Sequence, residues 1–263
     1  YDTVEVEYEA WVGRVPVLHV GIERADVDAG VRVVHEVVGD LDASITRMAD
    51  LPVIRNDWPG QTVRQHRELF QNALRPATAN FAPHQVIDVV RNVLPRKGVL
   101  AVDVGAHTHQ IGSQWTAHAP ATFLVTNGWS SMGFGIPAAL AAKLAHPDLP
   151  VVCVLGDGCF QMTCGEVAAA RRQRLAIPFV VLNDRWLSLI KVKQERQGLP
   201  SYGTEVSPDG CLIPPAHYFG VRAVGVDNSA GLERELCRAL SADSPTIIET
   251  AVDAAHYSQT VYD

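Results

Sequence analysis

From about residue 80 onward the chain alternates continuous apolar runs with segments of helical spacing. This alternation restricts the fold more than any other feature of the sequence. "GVLAVDV" (98–104), "TFLVT" (122–126), "PVVCVLG" (150–156), "PFVVLND" (178–184), "VRAVGV" (221–226) and "TIIETAV" (246–252) read as strands. They are apolar throughout rather than at every second residue, as parallel strands covered on both faces are. Helices are expected in "PHQVIDVVRNVL", "MGFGIPAALAAKLAH", "GEVAAARRQR", "WLSLIKVKQER" and "AGLERELCRAL", with Pro83 suited to the first turn of the first of them. Strands alternating with helices specify an α/β, doubly wound parallel sheet. Ligands bind such sheets at the carboxyl ends of the strands, where the strand order reverses. Three strand ends therefore carry the functional expectation: "DVGAH" (103–107), "LGDG" (155–158) and "LND" (182–184).

The upstream region is different. "VPVLHVGI" (15–22) reads as a buried strand, and residues 31–51 read as a short strand, a Gly39-Asp40 turn and a helix. That is too little for a core of its own, so residues 1–55 are read as the tail of a domain whose beginning is absent. Residues 56–79, with the turn cluster "NDWPG", a polar helix "QTVRQHRELFQNAL" and a proline-bearing stretch, read as a linker. Residues 80–263 form the main domain. The sequence starts at Tyr1 without a methionine or a signal-like segment, and is read as a piece of a longer polypeptide.

Composition excludes several classes. Apolar residues make up 47% and charged residues 19%, enough for a sizeable core. A net charge of -7 argues against a nucleic-acid partner. No run of apolar residues is long enough to span a membrane. The five cysteines form no C-x-x-C pair and read as reduced packing residues of a cytoplasmic protein. The ten histidines show no zinc spacing.

The strand "VVCVLG" stops on Gly156-Asp157-Gly158. The glycines suit a tight turn or a close backbone approach, and place Asp157 at the rim of the sheet. A metal site, a phosphate site and a plain surface turn all read this way. Backbone N–H groups of the residues that follow, near Cys159, lie at or near a helix start and favour an anion. A carboxylate beside a phosphate needs a cation between them, and Mg²⁺ is the simplest choice, because it takes hard oxygen ligands and shares them with phosphates. A right-handed crossover puts the next strand end, Asn183-Asp184, on the same edge of the sheet. Backbone near Trp186 could add a carbonyl oxygen. Alone, Asn-Asp is also a common helix cap or turn. Gly128-Trp129-Ser130-Ser131-Met132 fails the G-x-S-x-G nucleophile elbow, and no G-x-G-x-x-G follows a strand, so a serine hydrolase and a nicotinamide site are poor readings.

Gly-Asp-Gly, 24 residues, then Asn-Asp resembles the diphosphate-anchoring signature of the thiamine diphosphate (ThDP) enzymes, which usually ends in Asn-Asn. "DVGAH" resembles that family's diphosphate-contacting strand end, with Gly105, Ala106 and His107 at the contacting positions. "NGWSSMGFGIPAALAAKLA" (127–145) resembles the segment that cradles the two cofactor rings. The likeness implies that main chain near Ser130 holds the pyrimidine and that Met132 holds the cofactor bent. It further implies diphosphate contacts from Gly156, Gly158 and Cys159, and Mg²⁺ ligation by Asp157, Asp184 and Trp186. Residues 156–184 run nearly in step with acetolactate synthases. The likeness covers about residues 80–263, the family's diphosphate-binding domain, and extends more weakly to residues 1–55, which resemble the C-terminal part of its central domain, a partial Rossmann-like domain.

The resemblance implies ThDP- and Mg²⁺-dependent decarboxylation of a 2-oxo acid with carboligation. A 2-oxo acid decarboxylase or another lyase is one alternative, and a non-catalytic domain of the same fold is another. It implies a homodimer or homotetramer, and a pyrimidine-binding domain of the same or a neighbouring chain that carries the activating glutamate. No catalytic residue is therefore assigned within these residues, and the isolated piece is expected to be inactive. FAD is bound by some relatives, and nothing in this sequence decides whether it is bound here. Two departures stand out: Asp184 replaces the usual Asn, and Lys193 stands where biosynthetic acetolactate synthases usually carry tryptophan. The proline-rich stretch 207–220 has no explanation from the resemblance.

Overall fold

The computed structural model describes residues 15–27, 31–52, 59–126, 128–206 and 217–261. They fall into two units that divide between Gly60 and Gln61. Most of the proline-rich stretch, residues 207–216, and Cys211 within it lie outside the described residues.

In the first unit, β1 (Val17–Gly21) and β2 (Val33–Val38) pair in parallel and α1 (Leu41–Ala49) follows. Asp40 starts α1, its Oδ1 accepting the N–H of Ala43 at 2.8 Å, as a helix cap does. The expectation of a buried strand over 15–22 is corrected here. β1 is only half-buried and Leu18 is 48% exposed, because among the described residues one partner strand and one helix leave most of the pair's surface uncovered.

The second unit carries a seven-stranded sheet in the order β4-β3-β5-β6-β9-β8-β7. The strands are β3 (Val99–Val102), β4 (Phe123–Val125), β5 (Val151–Gly156), β6 (Pro178–Asn183), β7 (His217–Tyr218), β8 (Val221–Val226) and β9 (Thr246–Ala251). All pair in parallel except the two-residue β7, which runs antiparallel to β8. Each expected apolar run became a strand. The helices are α2 (Gly60–Ala73), α3 (Pro83–Val93), α4 (Ala106–Gln114), α5 (Gly135–Ala145), α6 (Asp157–Thr163), α7 (Val167–Arg172), α8 (Ser188–Arg196), α9 (Ser229–Leu240) and α10 (Tyr257–Thr260). Pro83 does open α3, where the Gln85 side-chain oxygen accepts the N–H of Ala82 at 2.9 Å.

The period of two along each strand sorts its side chains into two cores. Val99, Ala101, Cys153, Leu155, Phe179 and Val181 face one way, against α5, α6 and α7. Leu100, Val102, Val152, Val154, Val180 and Leu182 face the other, against α3, α4 and α9. Burying each large apolar side chain stabilises the fold by about 1.5–3 kcal/mol. Cys153, Cys159, Cys164 and Cys237 are free thiols.

The topology fixes where a ligand can enter. From β3 the chain crosses to β4 on one side, then returns past β3 to β5 on the other. The order therefore reverses between β3 and β5, and the crevice lies beyond their carboxyl ends.

Candidate functional site

A cavity of about 280 Å³ opens at that crevice. It is lined by the tip of β3, the loop before α5, the tip of β5, the turn after β6 and one residue near the C-terminus. Gly105, Ala106, His107, Ser130, Met132, Gly156, Asp157, Gly158, Cys159, Asp184 and Trp186 all line it. Asn183 does not. Its amide donates to Glu249 Oε1 on β9, and its Oδ1 accepts the N–H of Arg185 at 3.1 Å. Of the Asn-Asp pair, only Asp184 reaches the cavity.

Asp157 is the first residue of α6 and only 2% exposed. It lies at the rim of the sheet as expected, but inside the crevice rather than open to solvent. Its Oδ1 accepts the N–H of Gly158 at 2.8 Å, and its Oδ2 accepts the N–H of Arg185 at 2.9 Å. Burial, and next the neighbouring Asp184, push its carboxyl up to about 7 despite those amides. Asp184 Oδ1 accepts the N–H of Trp186 at 2.9 Å and Oδ2 accepts the Ser188 hydroxyl at 2.7 Å. Burial pushes Asp184 up to about 6, against the pull of Ser188, Trp186 and Lys191. Two desolvated carboxylates side by side are an arrangement that a cation relieves.

Trp186 is held by its surroundings. Its ring lies under Lys191, with Nζ 3.8 Å from the ring centre. Trp186 bridges Glu205, with Leu187 N–H donating to Thr204 O at 2.7 Å and Val206 N–H donating to Arg185 O at 2.9 Å. In an antiparallel bridge of this pattern the central residue's own N–H and C=O point away from the partner. The Trp186 N–H goes to Asp184, and its carbonyl lies on that same side.

The glycines are there for closeness, and the tight-turn reading is corrected. Gly156 has φ -80°, and Gly158 lies in the first turn of α6. A Cβ on Gly158 would meet Leu187 Cδ2 at 2.7 Å, and one on Gly156 would meet His107 Cε1 at 3.3 Å. A Cβ on Gly105 would meet the same imidazole at 2.8 Å. His107 is buried, and burial drives its ring down to about 4, so it is neutral near pH 7. Its Nε2 has no hydrogen-bond partner among the described residues. The Cys159 thiol donates to Val104 O at 2.9 Å, tying the tips of β5 and β3 together. Burial pushes that thiol far up, so it stays protonated and inert.

Three helix N-termini, those of α4, α6 and α8, open into this cavity. Their positive ends favour an anion, while the two carboxylates favour a cation. An orphaned buried imidazole nitrogen and a glycine-lined wall fit a metal-bridged phosphate group. Among the described residues no group of three or more His, Cys, Asp or Glu gathers as a metal cluster. A hard cation that takes its remaining ligands from backbone, water and phosphate oxygens matches this donor set.

Sequence reasoning missed Tyr257 and Ser188. Tyr257 lines the cavity from α10 and is fully buried against Ala106 and Val192. Burial and both carboxylates hold its phenol well above the usual range. It follows the last strand in a segment without periodicity, and nothing in the sequence pointed to it. Ser188 stands four residues after Asp184, the spacing of a hydroxyl that returns to a capping carboxylate, and could have been found that way.

Among the described residues no helix is long and apolar enough to cross a membrane. The family model of the thiamine pyrophosphate enzyme C-terminal TPP-binding domain matches residues 103–250. The acetolactate synthase large subunit of Lactococcus lactis is 28% identical over 247 residues, covering 92% of this chain and 42% of the relative. That of Parasynechococcus marenigrum is 28% identical over 258 residues, 95% of this chain and 42% of the relative. The Escherichia coli isozyme 2 large subunit is 27% identical over 257 residues, 96% of this chain and 46% of the relative. The chain thus spans less than half the length of these relatives. The parallel sheet, the crevice beyond β3 and β5 and the family match together identify the chain as a member of the thiamine pyrophosphate enzymes, carrying their C-terminal TPP-binding domain.

Proposed function

We propose that this chain holds the diphosphate of thiamine diphosphate, through Mg²⁺, in an acetolactate synthase-like enzyme that decarboxylates a 2-oxo acid and joins the product to a second carbonyl compound. The observation that carries this reading is the pair Asp157 and Asp184. Asp157 is buried and Asp184 half-buried at neighbouring parallel strand tips, where three helix N-termini converge. The relatives named as acetolactate synthases support the reaction class.

In this reading Asp157, Asp184 and the Trp186 carbonyl hold Mg²⁺. First-turn amides of α6 and the His107 imidazole bind diphosphate oxygens, and Met132 with main chain near Ser130 supports the rings. When bound, the cofactor supplies a thiazolium that takes up the electron pair released as CO2 leaves. The chain's own contribution is to orient that group and to exclude water with its apolar walls. An activating glutamate comes from a pyrimidine-binding domain of the same or a neighbouring chain, in a homodimer or homotetramer.

Calorimetric titration of the chain with ThDP, with and without Mg²⁺, tests the reading. Binding that requires Mg²⁺ is expected, and binding indifferent to the metal would overturn it. Lys193 favours a second reading as a 2-oxo acid decarboxylase. It stands on the exposed side of α8, where a synthase of the resembled type would place tryptophan. Incubating the complete enzyme with pyruvate separates the two: acetolactate supports the first and free acetaldehyde the second.

A further inference from the structure

We propose that Asp103 is the positioning residue for the loop that presents Ser130 and Met132 to the cofactor rings; this rests on the ThDP reading of the cavity.

Asp103 directly follows β3 and is fully buried. Its carboxylate is met by three main-chain donors. Oδ1 accepts the N–H of Val104 at 2.8 Å and that of Gly133 at 2.9 Å. Oδ2 accepts the N–H of Gly135 at 2.8 Å. Gly135 is the first residue of α5, and the residue before it, Phe134, offers no side-chain cap. The cap of α5 therefore comes from another element, the tip of β3, and it carries the negative charge that a helix N-terminus favours.

The loop sequence is adapted to this clamp. Gly133 has φ +90°, and a Cβ there would meet Thr163 Cγ2 at 2.9 Å. A Cβ on Gly135 would meet Asp103 Cβ at 2.9 Å, too close for any other residue to let the carboxylate in. Met132 immediately precedes the clamped amide, and its Cε lies 3.4 Å from where a Cβ on Gly158 would stand. Ser130 holds φ +45°, a left-handed conformation that a non-glycine residue keeps only when its surroundings impose it. The same strand tip leads on to His107, because the Thr108 hydroxyl accepts the N–H of Gly105 at 2.9 Å and donates to Asp103 O. Asp103 thus sets the ring-facing loop in register with the diphosphate-facing end of α4.

The test uses two probes, ThDP and inorganic pyrophosphate, each with Mg²⁺, titrated into the wild-type chain, Asp103→Asn and Met132→Ala. An asparagine keeps one acceptor and turns an NH2 against an N–H, so one of the two loop bonds is lost. Asp103→Asn is expected to weaken ThDP about tenfold or more while pyrophosphate stays within about twofold, and Met132→Ala is expected to show the same split. Equal losses for both probes, or no loss for either, would overturn the proposal, since a general loss of fold does not separate them. Should Asp103→Asn not fold, hydrogen exchange on the wild-type chain decides. Gly133 and Gly135 amides as protected as those of β3 support the clamp, and fast exchange at both overturns it. A wild-type chain that binds neither probe brings down the underlying cofactor reading, and this proposal with it.

Discussion

Asp157 Oδ2 accepts the backbone N–H of Arg185 at 2.9 Å, so the tip of β5 is tied to the turn that follows β6. The bond brings the second carboxylate, on Asp184, to the same cavity. Asp157→Ala is expected to abolish Mg²⁺-dependent ThDP binding, by at least about a hundredfold or ~3 kcal/mol. Asp184→Asn keeps an oxygen donor and the shape of the turn, and is expected to retain metal binding with a smaller loss. Parallel calorimetric titrations of both variants check this, and equal losses would contradict it.

Gly158→Ala places a methyl group 2.7 Å from Leu187 Cδ2 and 3.4 Å from Met132 Cε. Leucine can yield only by moving into the cavity or displacing the turn that carries Asp184. The expected result is ThDP binding weakened about tenfold, with destabilisation of ~1–3 kcal/mol from overpacking. Thermal unfolding and titration of one preparation measure both.

Tyr257 closes the inner wall from α10, and Arg196 of α8 latches that helix by donating to Ser258 O at 3.0 Å and Val261 O at 2.6 Å. Tyr257→Ala is expected to cost about 3–5 kcal/mol of stability, as truncation of a large buried aromatic does. Tyr257→Phe keeps the ring and isolates the hydroxyl. Its stability is expected to stay near wild type, and Mg²⁺–ThDP binding to weaken. Denaturant unfolding of both variants alongside titration of the second distinguishes packing from polar contact.

His84 and His256 stack edge to face with ring centres 5.4 Å apart, and neither nitrogen of His256 has a hydrogen-bond partner among the described residues. Burial, then His84, drives His256 down to about 4, although Asp253 pulls the other way. Burial lowers His84 as well, against Asp88. An unfolded histidine takes its proton near pH 6.5 while folded His256 refuses it, so the unfolded state binds more protons between those values. The contribution of His256 to stability is therefore full above about pH 6.5 and is lost as the pH drops toward about 4, by on the order of 2 kcal/mol. Thermal unfolding across that range, wild type against His256→Gln, reads the difference. A wild-type slope that survives the substitution unchanged would contradict it.

The strands were legible because β3, β5 and β6 are almost unbroken apolar runs in the covered centre of the sheet, and β8 and β9 carry enough valine, isoleucine and alanine to read the same way. Three helices were not: α4, α6 and the four-residue α10. α4, "AHTHQIGSQ", has almost no apolar periodicity, and only the need for a crossover between the parallel β3 and β4 could have revealed it. α6 starts on Asp157 itself, and its Gly-Asp-Gly opening read as a turn. The two-residue β7 is too short to leave a pattern.

The cavity was legible in its outline because its residues cluster at three punctuated strand ends. What stayed hidden are the contacts across the fold. The turn of Asn183 toward Glu249, the arrival of Tyr257 from the C-terminal region, and the reach of Asp103 to Gly133 and Gly135 all join residues far apart in sequence. Glycine identity showed that something comes close at 156 and 158, but not that the neighbours are His107 and Leu187.

The outermost strands of the large sheet are its shortest: β4 has three residues, and β7 has two and runs backwards. A strand border offers unpaired N–H and C=O groups to any passing extended chain, and a sheet this rich in valine and isoleucine would recruit such a chain strongly. Stubby borders, one of them reversed, give an incoming strand no template long enough to copy. The apolar centre of the sheet is therefore screened from edge-to-edge pairing.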